Sequence, residues 1–164
     1  AGGVGPGVRV GDVVVASEYL QHDLVASPLF PRWELPGYGR TRLDCDPVMS
    51  AALHAASQDC VGSLARAHQG LVASGDQFVG SAQASRALRA GLEAAGHAVL
   101  AVEMEGAAVA QTCHDYGVPF AAMRTISDCA DDSAAVDFAE FVRNVASRYA
   151  QQILTGFLQR LPHA

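Results

Sequence analysis

Four short apolar runs, Val13–Ala16, Leu71–Ala73, Ala98–Val102 and Phe120–Met123, are separated by longer stretches whose apolar residues recur at helical spacing. Runs this short, several of them rich in β-branched residues, suit strands buried on both faces. Between Asp44 and His68, residues Met49, Leu53, Cys60 and Leu64 fall on one stripe, and Asp46-Pro47 supplies a helix start. A second helix is predicted over Ser81 to Ala95, and a third over Glu105 to Tyr116, stopped by Gly117 and Pro119. The last opens at Asp137 with Glu140 three residues on, and carries Phe141, Val145, Ile153, Phe157 and Leu161 on one face. This β-α-β-α-β-α-β-α order predicts an α/β fold: three layers, with a mostly parallel central sheet and flanking helices, as a single domain over residues 1–164.

Three of the apolar runs stop at polar clusters: Ser74-Gly75-Asp76, Glu103-Met104-Glu105 and Arg124-Thr125-Ile126-Ser127-Asp128. In a parallel sheet these clusters gather beyond the carboxyl ends of the strands, where open α/β folds place their ligands. The chain of 164 residues, half of them hydrophobic, is long enough for one sizeable core. Its net charge of −6, with no basic stripe, favours a small-molecule partner over nucleic acid. All eleven basic residues are arginine, which excludes a P-loop lysine, a Schiff-base lysine and a Ser-Lys dyad.

Cys45, Cys60, Cys113 and Cys129 form no C-x-x-C pair and the histidines have no metal-ligand spacing, so neither a metal nor a redox dithiol is expected. With no apolar run long enough to span a membrane, the protein is expected to be cytoplasmic, with reduced thiols. No G-x-S-x-G elbow is present. The opening Ala1-Gly2-Gly3-Val4-Gly5-Pro6-Gly7 lacks an initiator methionine and leads straight into a strand, the pattern expected of a chain cut within a longer one. Those glycines are read either as a flexible turn or as a close backbone approach to a ligand.

Glu103 and Glu105 flank one methionine in an apolar setting, where an unpaired carboxylate is costly. Such a group needs a cation, several donors or a ligand; Glu105 in a first helical turn, favoured by the helix dipole, is one explanation, and a polyhydroxylated ligand such as ribose, from whose vicinal hydroxyls a carboxylate can accept, is the other. Arg124 and Asp128 read either as an ion pair plus an N-cap, or as a site in which Asp128 is a general acid oriented by Ser127. Phe78 and Phe138 either pack or line a slot for a flat base. His22-Asp23 reads as a polar loop, and Trp33 as packing of a surface loop or a subunit contact.

Val10–Val15, Gly70–Val79, Ala101–Glu105 and Arg124–Asp131, in order after Ala1-Gly2-Gly3, resemble the 5′-methylthioadenosine/S-adenosylhomocysteine nucleosidases of the purine nucleoside phosphorylase superfamily. The resemblance implies hydrolysis of an adenine N-glycosidic bond without metal or organic cofactor, in a homodimer. It implies Asp128 as the acid protonating the adenine ring, Ser127 beside it, and Arg124 positioning the attacking water. Glu105 would hold the ribose hydroxyls, Met104 would pack on the sugar, and Gly2 would lie beneath it. Phe78 would stack on the base, the Val79 backbone would read its edge, and Phe138 would close over the ligand. The family also has an N-terminal segment with a water-activating glutamate, which this sequence lacks; the chain is therefore expected to be the C-terminal two-thirds of the family fold. Two other functions remain open at this stage: phosphorolysis of the same bond, and a non-catalytic nucleoside-binding or assembly module. The loop Leu24–Pro31 differs from well-known bacterial members near the alkylthio end of the substrate, leaving the 5′ group undetermined.

Overall fold

A computed structural model describes residues 1–61, 65–131 and 147–161. Its strands are β1 (Gly2–Gly3), β2 (Val13–Gln21), β3 (Leu43–Asp44), β4 (Ala67–Ser74), β5 (Val99–Glu103) and β6 (Met123–Thr125). Its helices are α1 (Pro47–Val61), α2 (Ala82–Ala94), α3 (Gly106–Asp115) and α4 (Ser147–Leu158).

The long ladders are parallel: β2 pairs β4 from Val13 opposite Ala67 to Gln21 opposite Ser74, and β4 pairs β5 from Leu71 opposite Val99 to Ser74 opposite Glu103. Short antiparallel strands complete the sheet, with β1 on β5 and both β3 and β6 on β2. The segment following β6 then returns to β1. Asp128 bridges Gly2, the Gly3 N–H donates to the Asp128 carbonyl at 2.9 Å, and the Ser127 N–H donates to the Ala1 carbonyl at 3.0 Å. The sheet is thereby curled into a ring, β1-β5-β4-β2-β6, sealed by the Asp128 bridge.

The sequence reading of this last strand needs correction in position and direction. The strand is Met123–Thr125, not Phe120–Met123, and it runs antiparallel to β2. Phe120 is spent on packing, its ring 5.9 Å from that of Tyr19, and the Ala122 carbonyl accepts from the Ala16 N–H.

Side-chain alternation explains the layers. Val13, Val14, Val15 and Ala16 are all fully buried, because β2 is covered on both faces. Val13 and Val15 pack under Leu53 and Ala56 of α1 and Ile153 and Phe157 of α4, whereas Val14, Ala16 and Tyr19 face Val72, Ala101 and Ala107. Leu71, Ala73, Val99 and Val102 pack with Leu92, the one buried residue of α2. Burying a side chain such as Leu92 contributes about 2 kcal/mol.

Helix ends follow local chemistry. Asp46 Oδ1 accepts from the Met49 N–H at 2.8 Å and Ser81 Oγ accepts from the Ala84 N–H at 3.2 Å, closing the starts of α1 and α2. Gly117, at φ 64°, ends the α3 region. The first helix is shorter than its apolar stripe suggests, since Ala67–Gly70 belongs to β4. There the buried Asp12 carboxylate accepts from His68 Nε2 at 2.8 Å and from the Arg66 N–H, pinning a polar sequence into a strand. Trp33 is core instead of loop surface, 7% exposed, with its indole N–H donating to the His22 carbonyl. The predicted start of the last helix at Asp137 lies outside the described residues. Among the described residues no helix is long and apolar enough to cross a membrane.

Gly106 opens α3 directly against the ring: a Cβ there would lie 2.2 Å from the Tyr19 ring. Gly106→Ala should lower the unfolding free energy by about 2–3 kcal/mol through overpacking. Gly91→Ala, in α2 with nothing within 4 Å, should raise it by roughly 0.5–1 kcal/mol. Urea unfolding of both variants checks the contrast.

Candidate active site

Beyond the carboxyl ends of β4 and β5 the chain leaves a cavity of about 220 Å³. Gln77, Phe78 and Val79 come from the turn after β4; Val102, Glu103, Met104 and Glu105 from the β5–α3 junction; Gly2 from β1 and Ala1 from just before it; Asp128 from the segment after β6. Seven of the residues singled out in the sequence therefore line one cavity: Gly2, Phe78, Val79, Glu103, Met104, Glu105 and Asp128. Ser127 does not line the cavity but hydrogen-bonds Asp128, which does. Arg124 does not line the cavity but binds Glu103, which does. Phe138 lies outside the described residues.

Asp128 is 2% exposed and held from two sides. Its Oδ2 accepts from Ser127 Oγ at 2.8 Å and its Oδ1 from the Ala130 N–H at 2.9 Å. Gly2 is required opposite it, since a Cβ there would meet Asp128 Oδ1 at 3.0 Å and Ala130 Cβ at 2.9 Å. Within the glycine-rich opening, Gly2 makes a close backbone approach to Asp128 and Ala130, while Pro6-Gly7 forms a turn with Gly7 at φ 78°. At the apolar face Phe78 and Met104 are 54% and 41% exposed, large side chains turned to solvent where a flat, partly apolar ligand could cover them.

The two glutamates differ sharply. Glu103 is buried with both oxygens occupied: Oε1 takes Ser74 Oγ and the Gly106 N–H, and Oε2 takes Arg124 Nε at 2.9 Å, Arg124 Nη2 and the amides of Glu105 and Gly106. It caps the N-terminus of α3 from inside, a task that the Glu105 side chain does not perform. Glu105 instead points outward, its side chain 72% exposed, with Arg124 Nη2 3.8 Å away. Hence a ribose-like ligand does not account for both carboxylates: only Glu105 has oxygens left for a ligand. Sequence reasoning also missed Ser74, whose hydroxyl donates to Glu103 and accepts from the Ala107 N–H at 2.8 Å. The only signal for it was its place at the head of the first polar cluster.

The model of the phosphorylase superfamily matches residues 1–159. The chain belongs to that superfamily. It is 33% identical over 162 residues to a 5′-methylthioadenosine/S-adenosylhomocysteine nucleosidase of Actinobacillus succinogenes, covering 98% of this chain and 66% of that protein. Just under two-thirds of that relative's length is therefore spanned. The nucleosidase of Neisseria meningitidis, solved with methylthio-immucillin-A, superposes with a TM-score of 0.86 at 34% identity, over 98% of this chain and 67% of that one. That of Colwellia psychrerythraea, solved with adenine, gives 0.87 at 29%, over 98% and 64%. The curled sheet with flanking helices is the fold of these nucleosidases.

The turn carrying Phe78 is braced from below. Asp23 Oδ2 accepts from the Asp76 N–H at 2.7 Å, and the imidazole of buried His22 fills the space where a Gly75 Cβ would stand, 2.3 Å from Nε2. Burial holds the His22 pKa below its ordinary 6.5, against the opposing pull of Asp23 and Glu103. As pH falls through 6.5 the unfolded chain binds this proton before the folded one does, so its effect on stability is absent above that pH and grows as a penalty below it. The urea midpoint should drop between about pH 8 and about pH 5.5, with a shallower drop in His22→Gln.

Proposed function

We propose that the protein hydrolyses the N-glycosidic bond of 5′-methylthioadenosine or S-adenosylhomocysteine, releasing adenine. The observation that supports this reading is that Asp128, Glu105, Phe78 and Met104 line one cavity. A buried carboxyl group beside an aromatic face suits proton donation to a purine ring nitrogen. An exposed carboxylate suits a vicinal diol. The relatives solved with adenine and with methylthio-immucillin-A support the same assignment.

In this mechanism the adenine lies against Phe78 with the Val79 backbone at its edge, and the sugar lies over Gly2 and Met104. Asp128 gives its proton to the adenine ring as the C–N bond breaks, so that the base leaves neutral; Ser127 keeps the carboxyl oriented. The electron pair of the broken bond stays with adenine, and the sugar carbon becomes cationic in character. The carboxylate of Glu105, bound to the ribose hydroxyls, stabilises that charge. Water adds to the sugar carbon on the side governed by Arg124 and gives up its proton to a base, a role the family resemblance gives to a glutamate preceding the Gly2 loop. Residues 1–164 are read as one domain equivalent to the C-terminal two-thirds of the relatives, working in a cytoplasmic homodimer; exposed Val109, Leu154 and Leu158 offer apolar helix surface for that contact.

The superfamily also contains enzymes that transfer the sugar to phosphate, so the decisive measurement is adenine release from methylthioadenosine with and without phosphate. Phosphate-independent release is expected; strict phosphate dependence would assign phosphorolysis, and no purine binding by calorimetry would leave an assembly module. Asp128→Asn should lower kcat by roughly 10²- to 10⁴-fold with little change in nucleoside affinity, whereas Glu105→Gln should weaken both. Near-normal turnover in the Asp128 variant would remove the acid assignment.

A further inference from the structure

We propose that Glu103 is a positioning residue that keeps Arg124 from closing beyond its present 3.8 Å ion pair with Glu105 and thereby leaves the Glu105 oxygens open to the sugar. The inference rests on the nucleosidase reading above, but it concerns a residue that touches neither base nor diol in that mechanism.

The guanidinium of Arg124 stands between two carboxylates. It binds Glu103 Oε2 through both Nε, at 2.9 Å, and Nη2, while the same Nη2 is 3.8 Å from Glu105 Oε2. The contest is decided by surroundings. The Glu103 side chain is 4% exposed and that of Glu105 is 72% exposed, so the first attraction acts in a low dielectric and the second is screened by water. Glu103 is also pre-fixed, its oxygens already held by Ser74 Oγ and the Gly106 N–H, so forming the pair orders few additional groups. Among the described residues, Glu105 is the other carboxylate that pairs with Arg124. A closer Arg124–Glu105 pair would occupy the oxygens that a diol needs and would withdraw the cation from the water-positioning side.

The discriminating ligands are adenine, which has no sugar, and methylthio-immucillin-A, which carries a sugar-like ring. Calorimetry on wild type, Glu103→Gln and Glu103→Asp separates a charge role from a packing role, because Gln keeps the volume and Asp keeps the charge. Glu103→Gln should lose roughly tenfold in affinity for the nucleoside analogue and little for adenine. Glu103→Asp should bind the analogue more tightly than Glu103→Gln does, despite its shorter side chain. Adding Arg124→Met to Glu103→Gln should restore much of the analogue affinity by removing the competing cation. A crystal structure of Glu103→Gln should show Arg124 within about 3 Å of Glu105. Arg124 still on residue 103, equal losses for both ligands, or Asp no better than Gln would each overturn the inference. Wild-type protein that binds neither ligand would instead overturn the nucleosidase reading beneath it.

Discussion

The return of the chain end of the sheet to its beginning is the constraint on which the site depends. Backbone hydrogen bonds from Gly3 to Asp128 and from Ser127 to Ala1 join β1 to the segment after β6. Without that seam, Asp128 would have no fixed relation to the β4 and β5 ends where the other cavity residues lie. Side-chain chemistry in this molecule is therefore positioned by main-chain pairing between residues more than a hundred positions apart. The glycine at position 2 permits it, since a methyl group there would strike both Asp128 and Ala130.

Local features of the fold were legible because local residues determine them. Ser81 and Asp46 announce helix starts through their side-chain oxygens, Gly117 announces an end through its positive φ, and the valines of β2 announce burial on both faces. The direction of β6 was not legible. A three-residue strand carries no orientation in its own sequence; its antiparallel course is fixed by which edge of β2 it meets and by the need to reach β1. The polar start of β4 misled for a similar reason, because Ala67–Gly70 is held as a strand by a distant partner, Asp12.

The site shows the same division. The residue types that gather at the cavity were visible as clusters after apolar runs, and the family resemblance gave them distinct tasks. What the clusters could not reveal was how differently Glu103 and Glu105 are used. Two residues apart in sequence, one is saturated by donors from Ser74, Gly106 and Arg124 and the other faces water. Burial of a carboxylate demands such a set of partners, and those partners come from three separate segments. Only the assembled fold identifies which glutamate received them.

The shared hydrogen bonds of Glu103 have a dynamic corollary. The same oxygens that fasten the guanidinium also fasten the first amides of α3, so fraying of that helix end and release of the cation are one event, not two. A transient opening of a single backbone turn would disarm the pocket as a unit, and amide exchange at Gly106 would report how often the molecule visits that disarmed form.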